Sequence, residues 1–201
     1  MAFSTPKDSS NHSASSTAVL LERFDRVGSL GVGARLPYIS AMSLLDSEDG
    51  NVNDYAELAE AISFFVAEPN KEVIELLTRI TLMIALHNTD DHMRNHGFLR
   101  IKTGWALSPL FDVNPSPYVN TDRVTLIMGE TGTHEAHALK SLFNIFGVSE
   151  KKTSEVVKRV LTAMSKWRLS ASKNGCSDSE INMFAPIFND RKKALELAFG
   201  V

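Results

Sequence analysis

The sequence has one cysteine, no secretory leader pattern and no apolar run long enough for a membrane helix. The single cysteine, Cys176, cannot form an internal disulfide, which excludes a disulfide-stabilised scaffold and a thiolate zinc site. Residues 1–17 are polar, and no later segment has eighteen uninterrupted apolar residues. These absences predict a cytoplasmic protein with no membrane partner.

Clustered positive charge is also lacking. The chain has 21 Lys and Arg against 24 Asp and Glu, a net charge of -3, and no run of Lys and Arg that forms a stripe. Because neutralising a phosphate backbone requires clustered cations, we expect no direct binding to nucleic acid. A hydrophobic fraction of 43% and a length of 201 residues instead indicate an ordinary globular domain with its own core.

The chain begins with a polar segment and continues as one domain. Residues 1–16 are rich in Ser, Asn and Thr and predict a tail or loop, whereas residues 17–201 predict a single domain. Within that domain, Thr17–Phe24 has the apolar character of a short strand. The glycines that follow at positions 28, 31 and 33 indicate a plain loop, because a P-loop would require a following Lys-Ser/Thr pair.

Helical periodicity dominates the rest of the chain and predicts a mainly α (α+β) fold. Apolar residues recur at steps of three and four from Asn53 to Val66, and this helix stops before Pro69. A largely buried helix follows and ends near Leu86. Three further helices are predicted: about 134–146, about 149–170, and one opened by Ser177 and Glu180 as a capping box, which Pro186 should kink or split.

Residues 87–96 (HNTDDHMRNH), which we call the polar loop, follow the buried helix directly. A small hairpin is predicted next, with strands at Gly97–Ile101 and Trp105–Leu107 joined by Lys102-Thr103-Gly104. Asp112 comes shortly after this hairpin. The sequence therefore places Asp90, Asn95 and Asp112 on two loops that border one hairpin.

This order of polar residues has a known use in phosphoryl transfer. In protein kinases an Asp accepts the substrate hydroxyl proton, an Asn five residues later binds Mg²⁺, and a second Asp beyond a hairpin also binds metal. Asp90, Asn95 and Asp112 follow that order, and carboxylate and amide oxygens are the ligands that Mg²⁺ prefers.

Two alternatives to the kinase interpretation remain open for the polar loop. It is also typical of a solvated loop that caps a helix. A transition-metal cluster is a third interpretation, built from His87, Asp90, Asp91, His92 and His96.

Two longer strings resemble the HipA-like serine/threonine kinase family, whose members are toxins of toxin–antitoxin systems. The strings are HNTDDHMRNHGFLR at 87–100 and GWALSPLFDVNPSP at 104–117. They contain the family's N-x-D-x-H-x-x-N loop and its L-S-P-x-[YF]-D motif, here Asn88, Asp90, His92, Asn95, Leu107-Ser108-Pro109 and Phe111-Asp112. VLLERFDR at 19–26 looks like the family's hinge strand, and ARLPYISAMSLL at 34–45 extends the match.

The resemblance implies a fold, a reaction and partners. It implies a protein-kinase-like C-terminal helical lobe with a hairpin at the active-site face, using ATP and Mg²⁺ to phosphorylate a protein serine. Aminoacyl-tRNA synthetases are targets in characterised members, and a helix-turn-helix antitoxin neutralises the toxin. The implied roles are catalytic base for Asp90, phosphate-side contact for His92, Mg²⁺ ligands for Asn95 and Asp112, and ATP contacts for Glu22, Phe24 and Asn88.

The sequence departs from the kinase pattern before the hinge. Kinases carry a nucleotide-binding lysine and a phosphate-covering loop there, yet only Lys7 precedes Glu22. We therefore expect a C-terminal lobe without its N-terminal lobe, with little or no phosphorylation by this chain alone. A gene fragment, half of a split kinase completed by a separate N-lobe chain, and a non-catalytic module that binds an antitoxin or N-lobe partner all fit this pattern.

Overall fold

The computed structural model describes residues 22–27 and 34–201. The predicted tail at 1–16, Lys7, the glycines at 28, 31 and 33, and the first five residues of the predicted strand lie outside these residues. The α-helices are α1 (Ala41–Leu44), α2 (Tyr55–Phe65), α3 (Pro69–Ala85), α4 (Glu135–Ile145), α5 (Glu150–Met164), α6 (Trp167–Lys173) and α7 (Asp178–Phe199). The strands are β1 (Arg26–Val27), β2 (Ala34–Arg35), β3 (Tyr38–Ser40), β4 (Asn53–Asp54), β5 (Gly97–Ile101), β6 (Gly104–Leu107) and β7 (Thr125–Leu126).

The first long helix, α2, begins two residues later than its periodicity predicts. Asn53–Asp54 pair in parallel with Thr125–Leu126, so this dipeptide belongs to a two-stranded sheet. The Asp54 side chain then caps α2 by accepting a hydrogen bond from the backbone N–H of Ala56. The predicted stop before Pro69 is confirmed, and Pro69 itself opens α3, where its missing N–H costs nothing.

Helix α3 occupies the centre of the molecule. It packs against α2, α4, α5 and α7, and Leu76, Leu77, Ile80 and Ile84 are fully buried along it. Each such side chain contributes about 1.5–3 kcal/mol of hydrophobic stabilisation. The prediction of a largely buried helix is confirmed. The polar loop follows the C-terminal end of α3.

A three-stranded antiparallel sheet with the order β3-β5-β6 borders the polar loop. Strands β5 and β6 form the predicted hairpin, in which Ile101 pairs with Gly104 across the turn Lys102-Thr103. Gly104 has φ of 148°, a backbone conformation that L side chains rarely adopt. The architecture is thus mainly helical with a small sheet, as the sequence predicts.

The predicted helix over about 149–170 is wrong in its second half. Helix α5 ends at Met164, and a separate helix, α6, begins at Trp167. The Ser165 hydroxyl donates to the Thr162 carbonyl at 2.7 Å, a bond that competes with the helical hydrogen bonds at this point. Residues 165–166 therefore form a turn between two helices.

The last helix, α7, starts as predicted. Ser177 accepts a hydrogen bond from the Glu180 backbone N–H, and the Glu180 side chain accepts one from the Ser177 backbone N–H, which completes the capping box. Pro186 does not split this helix, which runs to Phe199. Ala185 and Ile187 are buried on either side of the proline, so packing holds the chain helical there.

The strand predicted over Thr17–Phe24 is wrong in its described part. Glu22 to Phe24 form no strand, and β1 begins only at Arg26 and pairs with β2. Arg23 bonds both carboxylate oxygens of Asp25, at 2.8 and 2.7 Å, across a local turn. Across residues 22–27 and 34–201, we find no helix with the length and apolarity that a membrane span requires.

Candidate active site

The polar loop is buried almost throughout, with one exposed carboxylate. His87, Asn88, Thr89 and Asp91 are each 5% exposed or less, whereas Asp90 between them is exposed. Buried polar groups require hydrogen-bond partners, so this loop must be tied to its surroundings on the inner side. Asp90 alone among these five residues presents its side chain to solvent.

Asp91 forms the inner anchor of the loop. Its Oδ2 accepts a short hydrogen bond from the Tyr55 hydroxyl and lies 3.0 Å from Nε2 of His96. Its carbonyl accepts a bond from Oγ1 of Thr125 at 2.6 Å. Burial by itself would raise the pKa of Asp91, but the charge of His96 and the hydrogen bonds from His96 and Tyr55 lower it below its usual value. Asp91 is therefore held as a buried carboxylate.

The segment after β6 holds the outer side of the polar loop. The Ser116 N–H donates to the His87 carbonyl at 3.1 Å, and the Val124 N–H donates to the Thr89 carbonyl at 2.9 Å. Nε2 of His87 lies 3.0 Å from the Tyr118 carbonyl, and burial lowers the pKa of this imidazole. The backbone on both sides of Asp90 is thus fixed by partners distant in sequence.

Helix α3 also holds the chain that leads to Asp112. The buried guanidinium of Arg79 donates from Nη2 to the Ser108 carbonyl at 2.7 Å. The buried carboxylate of Glu72 accepts the Leu107 N–H at 3.0 Å. Because α3 also carries the polar loop at its C-terminal end, one rigid helix positions both segments that bear the predicted site residues.

Asn95 and Asp112 present oxygen ligands. Asn95 is 3% exposed and its Nδ2 donates to the Asp90 carbonyl at 3.3 Å, so Oδ1 is its remaining polar side-chain atom. Asp112 is exposed, and its Oδ1 accepts a bond from Nδ2 of Asn114 at 2.8 Å. Its φ of 55° lies in the left-handed region, which residues other than glycine adopt infrequently. An all-oxygen donor set fits Mg²⁺ rather than a softer metal.

The predicted hinge segment reaches the motif that contains Asp112. The Phe24 ring lies 5.5 Å from the ring of Phe111 and 6.3 Å from that of Tyr38, measured between centroids. Phe24 is therefore half-buried beside the residue that precedes Asp112, while Glu22 is exposed. The exposed Arg23 guanidinium lowers the pKa of Asp25 to about 2 next to this contact.

Two further residues predicted for the site lie deeper. Asn88 is fully buried, with Nδ2 on the Met83 sulfur at 3.1 Å, and its Oδ1 has no hydrogen-bond partner among the described residues. His92 is half-buried, and its Nδ1 likewise lacks a partner within that part of the chain. Asn88 therefore lies behind the loop surface on which Asp90 is exposed, and its enclosed side chain does not present the ATP contact that the resemblance implies.

The alternative of a transition-metal cluster is not supported. Within residues 22–27 and 34–201, no three His, Cys, Asp or Glu side chains are grouped so that they could hold one metal ion. His87 is bonded to the Tyr118 carbonyl, and His96 to Asp91. Both imidazoles are thus engaged in hydrogen bonds that stabilise the loop.

Sequence reasoning missed the residues that hold the site in place. Arg123 donates from Nη1 to the Asn88 carbonyl at 2.9 Å and from Nε to Glu135 at 2.9 Å. Tyr55 lies in the stretch whose apolar period predicts α2, and no local pattern marks its bond to Asp91. These contacts join residues far apart in the chain, so periodicity carries no signal for them.

Comparisons with known proteins point to one family. The family model described as HipA-like C-terminal domain matches residues 3–167, well over half of the chain. A search of curated proteins finds no match. Among solved structures, the fold is similar to a chain of the Shewanella oneidensis MR-1 toxin–antitoxin complex of HipA, HipB and operator DNA, with a TM-score of 0.65 and 15% identity.

That likeness covers 89% of this chain and 48% of the solved one, so the chain spans about half the length of its structural relative. At this identity the likeness shows the fold, and the family rests on the match over residues 3–167. The chain belongs to the family of HipA-like C-terminal domains.

Proposed function

We propose that this chain supplies the catalytic base and the metal ligands of a HipA-like serine/threonine kinase, which transfers the γ-phosphate of ATP to a protein serine. One observation carries the proposal: Asp90 is exposed on a loop whose flanking residues are buried and hydrogen-bonded. Because the backbone on both sides of Asp90 is already fixed by hydrogen bonds, only the Asp90 side chain has to orient when a substrate hydroxyl approaches.

Each residue has a defined part in this reaction. Asp90 accepts the proton of the serine hydroxyl as its oxygen attacks the γ-phosphorus, and the bond from that phosphorus to the leaving oxygen of ADP breaks. Asn95 and Asp112 would hold Mg²⁺, which supplies positive charge against the phosphates when it is bound. His92 contacts the phosphate side, and backbone groups of Glu22 and Phe24 face the adenine. Asn88 acts from behind the loop through its carbonyl, which Arg123 holds.

The proposal extends to partners. The chain spans about half the length of a solved relative that was crystallised with HipB and DNA. We propose that phosphoryl transfer needs the N-terminal half of such a kinase, in the same polypeptide or in a separate chain. A helix-turn-helix antitoxin is the second proposed partner, and an aminoacyl-tRNA synthetase is a candidate protein substrate.

The proposed function is tested by radiolabel transfer from [γ-³²P]ATP, with the full chain mixed with a recombinant N-terminal kinase half and Mg²⁺. We expect labelled phosphoserine from the mixture and little from either part alone. The Asp112→Asn variant should lose the label, because the amide removes the charge that attracts the cation. Antitoxin binding by a mixture that never produces phosphoserine would instead identify a non-catalytic interaction module.

A further inference from the structure

A series of buried charged side chains connects the last helix to the polar loop. Arg191 of α7 donates from Nη1 to Oε1 of Glu135 at 3.1 Å and to the Gly132 carbonyl at 2.9 Å. Oε2 of Glu135 accepts Nε of Arg123 at 2.9 Å, and Arg123 donates to the Asn88 carbonyl at 2.9 Å. The series ends two residues before Asp90.

The charged side chains of this series are buried, so water cannot take the place of a hydrogen-bond partner that is removed. The side chains of Arg123, Glu135 and Arg191 are 1%, 3% and 6% exposed. Burying charge is costly unless each group is paired in good geometry, so removing one member leaves the next without compensation. Burial alone would lower the pKa of Arg123, but the charge of Glu135 raises it, which keeps the guanidinium charged.

We infer that Arg191 is a positioning residue for the polar loop, which it orients through Glu135, Arg123 and the carbonyl of Asn88. Helix α7 lies beyond residues 3–167, the part that the family model matches, so the match does not assign this role. The inference rests on the proposed function, because the loop that is oriented carries the proposed catalytic base.

The geometry specifies which kinetic step should change. The series reaches the backbone beside Asp90, whereas the predicted adenine contacts at Phe24 lie against Phe111 and Tyr38, on other elements. Disturbing Arg191 should therefore misplace the base and spare nucleotide binding. Misplacement of a reacting group by about 1 Å costs on the order of 10²-fold in rate. We expect kcat to fall by that factor while KM for ATP changes little.

The test compares Arg191→Met, Arg191→Lys and a control on the same pair of helices, Lys140→Met, at an exposed position. Lys140 also joins α4 to α7, through a bond from Nζ to the Ala198 carbonyl at 2.8 Å. Hydrogen exchange of the full chain measures protection of the Asn88 and Val124 amides, which donate to the Met83 and Thr89 carbonyls. Transfer of ³²P in the reconstituted kinase measures kcat and KM.

We expect faster exchange at both amides in Arg191→Met than in Lys140→Met, together with the selective loss of kcat. Arg191→Lys keeps the charge, so its amide exchange and its kcat should lie between those of the wild type and Arg191→Met. If Arg191→Met does not fold, Arg191→Lys alone is compared with Lys140→Met. Equal exchange in the Lys140 and Arg191 variants would overturn the inference. Because exchange needs no activity, that result is distinguishable from failure of the proposed function, in which Asp90 variants would keep wild-type transfer.

Discussion

Replacing Asp90 with Asn should lower the rate of γ-phosphate transfer by about 10²–10⁴-fold, the usual contribution of a general base. The free energy of unfolding should change by less than about 0.5 kcal/mol, because the side chain is exposed. Asn has the same shape but cannot accept the proton of a serine hydroxyl. Radiolabel transfer by the reconstituted kinase measures the rate, and urea unfolding of the chain measures stability.

Asp122→Asn is the matched control for that variant, since Asp122 is also an exposed aspartate. It should retain wild-type transfer. Transfer that survives in Asp90→Asn would defeat the assignment of Asp90 as the base, whatever the behaviour of the control.

Replacing the adjacent Asp91 with Ala should instead destabilise the protein by about 1–3 kcal/mol for each buried hydrogen-bond donor that it leaves unsatisfied. The change leaves the Tyr55 hydroxyl and the His96 imidazole buried without their common acceptor. Urea unfolding at neutral pH measures the loss, with Asp90→Ala as the exposed neighbour for comparison. A loss below about 1 kcal/mol would show that the Asp91 contacts contribute no more than an ordinary hydrogen bond.

Acid titration gives a second measurement on the same variant. The pKa of Asp91 is lowered in the folded protein, so its stabilising contribution is complete above the unfolded value of about 3.9 and is lost as the pH falls below it. The wild type should therefore lose stability more steeply below about pH 4 than Asp91→Ala. Parallel curves for the two proteins would contradict a carboxylate stabilised by its partners.

The sequence predicts the elements of this fold that depend on local patterns. The apolar period of α3, the capping box at Ser177 and the hairpin around Lys102-Thr103 all rest on neighbours within a few residues, and all three are confirmed. The failures have local and tertiary causes. At Ser165 a side-chain bond competes with the helix, and at Pro186 buried neighbours keep the helix continuous.

The polar loop shows the same limit at the level of the site. The order of polar residues in this loop and beyond the hairpin predicts roles for Asp90, Asn95 and Asp112, and these roles stay predictions. The motif spacing selects Asp90, but no sequence pattern shows that Asp90 is exposed and Asp91 buried, because tertiary contacts set that difference. In the same way, no sequence pattern marks Arg123 as the donor to the Asn88 carbonyl.

The proposed cation site can be examined directly by NMR during a titration of the chain with Mn²⁺, which accepts the same oxygen ligands as Mg²⁺. If Asn95 and Asp112 bind one cation, the Asn95 side-chain amide and the Asp112 backbone amide should broaden first. Asn174, in the turn between α6 and α7, should remain sharp, and Asp112→Asn should abolish the early broadening at Asn95. Equal broadening at Asn95 and Asn174, or broadening at Asn95 that persists in Asp112→Asn, would contradict a shared metal site.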